Sequence, residues 1–229
     1  MRRAVTRTRN EAHVRASVRW VVCAVLAGGG ATACSDSDAD RVKPPEVLSA
    51  SQVCGGTLSA EGVAALERIG GKTGYTELED PERWSPASAA KRLEDSAVSQ
   101  YECNLYREGD ESGRPLMTIG FMARKSHPDP AEAAKDKDYN QLFYPLGLYA
   151  SATGDLATSL FFACPTERAE GSTPYVKADM YSAKNKMNAD STGKDRMTIL
   201  NDVSRALAKE LGCAAQANLP AEVPDALPG

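Results

Sequence analysis

The chain has 229 residues, of which 42% are hydrophobic and 25% charged, and its formal net charge is −4. That apolar content is enough for the core of about one domain and excludes a wholly disordered chain. The acidic balance argues against nucleic acid as a partner.

The first segment is basic: Arg2, Arg3, Arg7, Arg9, Arg15 and Arg19 stand against one acid, Glu11. An apolar run from Trp20 follows, then small residues up to Cys34. This is the layout of an export signal. The run is too short and too rich in glycine for a membrane span, which needs about 20 apolar residues. Ala31-Thr32-Ala33-Cys34 resembles the lipobox of bacterial lipoproteins, with alanine at position 31 where that family usually has leucine. The resemblance implies a signal peptide over residues 1–33, a diacylglycerol on the Cys34 sulfur, and residues 34–52 as a lipidated tether. The acids Asp36, Asp38 and Asp40 and the pair Pro44-Pro45 suit such a tether. The expected location is the extracytoplasmic face of the cell membrane, with the lipid anchor, a palmitate-type chain included, as the membrane contact. Without residues 1–33, six bases and one acid are gone, and the remaining 21 basic and 30 acidic groups give −9.

Within the expected domain, residues 53–219, Ser59 is placed to cap a helix bearing Val63, Leu66 and Ile69, stopped by Gly70-Gly71. A short strand near Tyr75–Leu78 and a helix from Ser85-Pro86 to about Asp95 come next. Gln100–Arg107 alternates, with Tyr101, Cys103 and Leu105 on one side, and Leu116–Ala123 repeats the pattern with Met117, Ile119, Phe121 and Ala123. The two predict a hairpin across a polar loop. Residues 125–140 read as a surface excursion with one helical turn near Ala131–Lys135, and Leu142–Leu148 as a short strand or a tucked loop. Thr158–Cys164 is a strongly apolar strand. Tyr175–Tyr181 alternates, with Val176, Ala178 and Met180 inward and Lys177 and Asp179 outward. From Asp195 to Leu211 the residues Met197, Leu200, Val203, Leu207 and Leu211 recur at helical spacing, and Gly212 ends the run. Residues 220–229, with three prolines and no period, read as a flexible tail.

The predicted fold class is α+β: a single domain in which an antiparallel sheet of four to five strands is packed by N-terminal helices and a C-terminal helix. Cys54, Cys103, Cys164 and Cys213 imply two disulfides in an exported chain, with three possible connectivities. The element order favours Cys164–Cys213, because the last helix climbs about 25 Å back towards the end of the strand that carries Cys164. That leaves Cys54–Cys103. Their spacing excludes a zinc knuckle and a Cys-x-x-Cys pair. Cys54-Gly55-Gly56, Phe162-Ala163-Cys164-Pro165 and Leu211-Gly212-Cys213 together resemble exported four-cysteine lipoproteins of high-GC Gram-positive bacteria that have no assigned activity. That resemblance carries no catalytic residues.

Several short patterns match catalytic or ligand motifs only in part. His127 is the one histidine beyond the signal and has no Gly-x-Ser-x-Gly partner sequence. Ser88-Ala89-Ala90-Lys91 and Lys72-Thr73-Gly74 match fragments of penicillin-interacting enzymes in the wrong order. Gly71-Lys72-Thr73 lacks the first glycine of a phosphate loop. Asp136–Asn140 begins like a calcium loop, yet Gln141 and Gly147 stand where glycine and glutamate are needed. Tyr139, Phe143, Tyr144 and Tyr149 form an aromatic cluster and are the ligand-binding candidates. No catalytic residue, metal ligand or cofactor is predicted. The expected role is a non-catalytic binding or structural module of the envelope, with a protein or small ligand as partner. The alternative is an envelope hydrolase with an unrecognised site.

Overall fold

A computed structural model of the chain describes residues 45–72, 74–78, 82–95, 102–135, 140–166, 171–183 and 185–228. These fall in the unit Lys43–Gly229. After a 3-10 turn at Cys54–Gly56, the order is α1 (Ala60–Gly70), β1 (Tyr75–Glu77), α2 (Pro86–Asp95), β2 (Cys103–Arg107), β3 (Met117–Arg124), α3 (Pro130–Ala133), β4 (Gln141–Phe143), β5 (Tyr149–Thr153), β6 (Ala157–Thr166), β7 (Thr173–Tyr181), α4 (Gly193–Glu210) and α5 (Ala214–Ala217). The strands form one antiparallel sheet in the order β1-β2-β3-β7-β6-β5-β4. The sheet therefore has seven strands rather than four to five. The additional strands are short or, in β5, built from small residues buried on both faces, so they leave no alternation to read.

Helices cover one face. α4 packs on β5, β6 and β7, α2 packs on β3 and on α4, α5 packs on β6, and α1 lies against α4. The core between these layers holds Leu66, Ile69, Phe121, Phe162, Val176 and Leu200, all at most 1% exposed. Trp84 lies in the same core, near-parallel to Phe121 with ring centroids 6.1 Å apart. The alternation of β3 and β7 sends Ile119, Phe121, Val176 and Ala178 into this core, as the sequence predicts.

α4 is fixed at its start by a capping box. Asp195 N–H donates to Thr192 Oγ1 at 3.1 Å, and the Asp195 carboxylate accepts the Thr192 N–H at 2.9 Å. Burial pushes the Asp195 carboxyl up, and hydrogen bonds from Arg68 and Thr192 outweigh it, leaving it below the usual carboxylate range. Two turns further, Asp202 caps a different helix. Its Oδ2 accepts the N–H of Ser59 at 2.9 Å and the hydroxyl of Ser59 at 2.7 Å, at the start of α1. This approach requires Gly62, because a Cβ there would stand 2.3 Å from Asp202 Oδ2. Arg196, 2% exposed, donates from Nε to Thr158 Oγ1 at 3.3 Å and from Nη2 to the carbonyl of Gly154. It ties the β5–β6 turn to the helix.

Both disulfides join the predicted partners, Cys54 to Cys103 and Cys164 to Cys213. The first fastens the segment before α1 to β2, and the second fastens the end of α4 to β6. Each spans 49 residues, which on the chain-entropy model stabilises the fold by about 4 kcal/mol. Beyond Cys164, Pro165 has no N–H to give to the ladder, and the β6–β7 register slips between Ala163 and Thr166.

Two expected boundaries move. The segment expected as tether up to residue 52 is folded from residue 45 onward. Leu48 is 2% exposed and pairs with Tyr75 through both backbone hydrogen bonds, at 2.7 and 2.9 Å. The segment expected as a flexible tail is laid on the domain through residue 227. Asn201 Nδ2 donates to the Pro220 carbonyl at 2.9 Å, Val223 is 6% exposed, and Leu227 N–H donates to the Phe143 carbonyl at 2.7 Å. The prolines do not prevent this, because the tail uses single hydrogen bonds rather than a full ladder. The two edge strands, β1 and β4, are thus each met by a terminal segment.

Two expectations follow. Ending the chain after Leu219 removes the Val223 side chain from the core and should cost about 2 kcal/mol in urea unfolding. Tyr75 is fully buried, its hydroxyl donates to the Gly71 carbonyl at 2.5 Å, and burial pushes its pKa up to about 12. Its stabilising contribution is complete below about pH 10, the unfolded value, and is lost as pH rises through about 12. Tyr75→Phe should therefore cost about 1 kcal/mol at pH 8 and flatten the fall in stability above pH ~10, read by urea unfolding across that range.

Candidate functional site

The face of the sheet opposite the four packing helices carries the polar side chains of the strands. One row crosses it at right angles to the strands. Gly120 is opposite Asp179, Asp179 opposite Ser159, Ser159 opposite Ser151, and Ser151 opposite Phe143. The neighbouring row holds Met122, Lys177, Phe161 and Tyr149. The sequence places these residues here because the inward partners, Val176, Ala178, Leu160 and Phe162, take the core side at alternate positions.

Asp179 is at the centre and is 3% exposed. Its Oδ1 accepts the Ser159 hydroxyl at 2.7 Å and lies 2.8 Å from Lys177 Nζ. Its Oδ2 is buried and has no hydrogen-bond partner among the described residues. The Lys177 ammonium also lies 5.7 Å from the centroid of the Phe161 ring. Phe161, Tyr149 and Phe143 continue as an edge-to-face ladder, with centroids 5.8 and 6.0 Å apart. The Tyr149 hydroxyl accepts from Gln141 Nε2 at 3.1 Å.

On the other side of Asp179 the side chain is missing, because the facing residue is Gly120. Glu102, just before β2, folds over that glycine: a Cβ on Gly120 would stand 3.1 Å from Glu102 Oε1 and 3.2 Å from its Cγ. Partial desolvation pushes the carboxyl of Glu102, an otherwise exposed residue, above the usual carboxylate range. The row therefore brings two carboxyl groups to either side of one glycine, with one lysine balancing the inner of them.

This arrangement holds charge and offers acceptors. It does not pair a nucleophile with a base. The Ser159 hydroxyl is directed at a carboxylate, and the Lys177 Nζ is engaged by that same carboxylate at 2.8 Å. His127 packs edge-on against Tyr175 at 4.9 Å, and its Nδ1 lies 2.8 Å from the Pro128 carbonyl. The His127–Tyr175 contact places the start of the long β3–β4 connection over this same outer face, since Tyr175 alternates with Val176. Nothing in this geometry joins Ser159, Asp179 and His127 into a hydrolytic set.

The four aromatic candidates separate. Phe143 and Tyr149 lie on the outer face in the ladder. Tyr144 points the other way and is 4% exposed within the core, where burial raises its hydroxyl pKa. Tyr139 and the lipidation candidate Cys34 lie outside the described residues, as do Thr73 and Asp136–Tyr139 of the partial motifs. Ser88 belongs to the first turn of α2, where its N–H donates to Ser85 Oγ at 3.2 Å and its hydroxyl to Glu82 at 3.0 Å. Among the described residues one group could offer three metal ligands, Cys54, Glu77 and Cys103. Two of those donors are joined to each other in the disulfide, and Glu77 accepts the Cys54 N–H. It is a structural cluster. In a cleft of about 270 Å³ beside Arg68, Lys194 and Val223 the two bases are already paired, Arg68 with Asp195 at 2.6 Å and Lys194 with Asp225 at 2.5 Å.

Asp179, Lys177, Ser159 and Gly120 were not candidates from the sequence. The outward alternation of Lys177 and Asp179 and a glycine inside a strand pattern were the available signals. Comparison with protein-family profiles, curated proteins and solved structures found no match. No helix among the described residues is long and apolar enough to cross a membrane, and the two disulfides are compatible with an extracytoplasmic location.

Removing the carboxylate leaves Lys177, whose side chain is 19% exposed, without its partner. Asp179→Ala should cost about 2–3 kcal/mol in urea unfolding, and adding Lys177→Met should restore part of that loss, because the stranded charge is gone.

Proposed function

We propose that this chain is a lipid-anchored extracytoplasmic protein of the cell envelope that acts by binding and not by catalysis. Cys34 carries the lipid, residues 35–44 are the tether, and the outer face of the sheet is the recognition surface for a protein or small ligand. The observation that carries this reading is the outer-face row centred on Asp179. It is a preorganised row of charged and aromatic side chains, with Asp179, Phe161 and Tyr149 themselves buried, without a nucleophile–base pair, on a domain closed by two disulfides. The lipobox-like sequence Ala31–Cys34 and the acidic residues after it support the anchor.

Metabolic labelling with an alkynyl fatty acid should tag the wild type and not Cys34→Ala; equal tagging of both would remove the anchor from the proposal. A photo-crosslinker at Thr118, on the outer face, should capture an envelope component from intact cells. The same group at Lys209, on the exposed side of α4, should not. Equal capture from both positions, or none from Thr118, would remove the assignment of the recognition face.

A further inference from the structure

We propose that the C-terminal segment, residues 223–227, is a removable guard on the edge of β4, and that lifting it lets β4 pair with β4 of a second copy of this chain. The proposal is independent of the outer face.

β4 is the last strand of the sheet and pairs with β5 alone. The Asn140 carbonyl accepts the Gly154 N–H, and the Tyr144 N–H donates to the Ala150 carbonyl, both at 3.0 Å. Even-numbered positions therefore turn their main chain towards β5, and Gln141 and Phe143 turn theirs to the open edge. Of the four outward N–H and C=O groups, one is met among the described residues: the Phe143 carbonyl accepts the Leu227 N–H at 2.7 Å. The strand carries none of the usual protections of an edge. Gln141, Leu142 and Phe143 include no charge and no proline, and Leu142 is 43% exposed.

The tail supplies the protection that the strand lacks, and it is held unevenly. Val223 is buried at its base. Beyond it, Asp225 meets Lys194 at 2.5 Å with both side chains open to water, and Leu227 is 50% exposed. An exposed ion pair and a single hydrogen bond are a weak hold. The opposite edge differs, because Leu48 is buried and closes both hydrogen bonds to Tyr75. The β4 edge is therefore the one that opens first.

Once uncovered, this edge is self-complementary. In an antiparallel pair of two β4 strands centred on Leu142, Gln141 of each copy faces Phe143 of the other, and each such pair exchanges two hydrogen bonds. All four outward groups of both copies are then met. Leu142 faces its own counterpart across the two-fold axis, on the helix side of the sheet, where a Cβ on Gly193 would stand 3.2 Å from its Cδ1. That position is the closer, non-hydrogen-bonded kind, so exposed leucine meets exposed leucine.

The test is thiol crosslinking of the full-length protein in detergent, carrying Leu142→Cys. Opposed Cα atoms at such a position are about 4.5 Å apart, within reach of a disulfide. Under copper–phenanthroline the full chain should crosslink little, read on a non-reducing gel. A chain ending at Pro224, which keeps Val223 and loses Asp225 and Leu227, should give at least about fivefold more dimer. Asp225→Lys in the full chain should raise the yield in the same direction. Adding Gln141→Pro to the short chain should abolish the gain, because it removes an edge N–H and no bond to β5. Lys209→Cys in place of Leu142→Cys should show no gain on shortening. Equal crosslinking of the full and short chains, a gain that survives Gln141→Pro, or an equal gain at position 209 would overturn the proposal. Urea unfolding identifies a short chain that has lost its fold, and Asp225→Lys in the full chain then decides: an unchanged dimer yield there would overturn the proposal as well.

Discussion

Helix α4 presents buried polar groups to three other parts of the molecule, and the arrangement of the domain follows from meeting them. Asp202 must reach the start of α1, Arg196 the turn between β5 and β6, and Asn201 the carbonyl of Pro220. Each of these side chains is at most 3% exposed, so none can turn to water if its partner is absent. The apolar stripe of Met197, Leu200, Val203 and Leu207 supplies the driving force for burial but would accept several rotations and slides of the helix. The polar contacts accept one. Cys213, just past the helix, then fixes its far end to β6.

With the helices committed to one side, the sheet is left with a second face of different character. A strand in the middle of a sheet ordinarily places well-solvated polar residues on such a face. Here β7 places a carboxylate that is almost fully covered, and it does so between a glycine and a serine. Small neighbours let Lys177 and Ser159 close over Asp179, and they also leave Gly120 without bulk. The space above Gly120 is taken by the Glu102 side chain, whose Oε1 would lie 3.1 Å from a Cβ there.

Much of the fold was legible where one face of an element is wet and the other dry. The hairpin of β2 and β3, the strand β7 and the long helix α4 all carry that contrast, and their periods are plain. The pairing of the cysteines followed from the order of these elements. β5 was not legible, since Tyr149–Thr153 has four buried residues in succession and a centre of alanine and serine, which propensity assigns to no strand. The ends were misplaced for a related reason. Leu48 and Val223 are isolated buried anchors near prolines and acids, and a single anchor leaves no period. The site was the least legible part. Lys177 and Asp179 could be seen to share a face, but Gly120 becomes their neighbour only through the register of two strands more than fifty positions apart in the chain. Of the aromatic cluster, half shares the outer face because Phe143 and Tyr149 are two strands of a hairpin, while Tyr144, one position on from Phe143, takes the opposite side.

The two terminal segments rest on opposite borders of the sheet, one beside β1 and the other beside β4. Seven strands at about 4.8 Å spacing put those borders roughly 30 Å apart. A circular permutant that joined the end of this domain to its beginning would need a connecting peptide of about nine extended residues merely to cross that width. Natural head-to-tail duplication of such a unit meets the same geometry, so tandem copies would stand side by side along the sheet direction and not stack face to face.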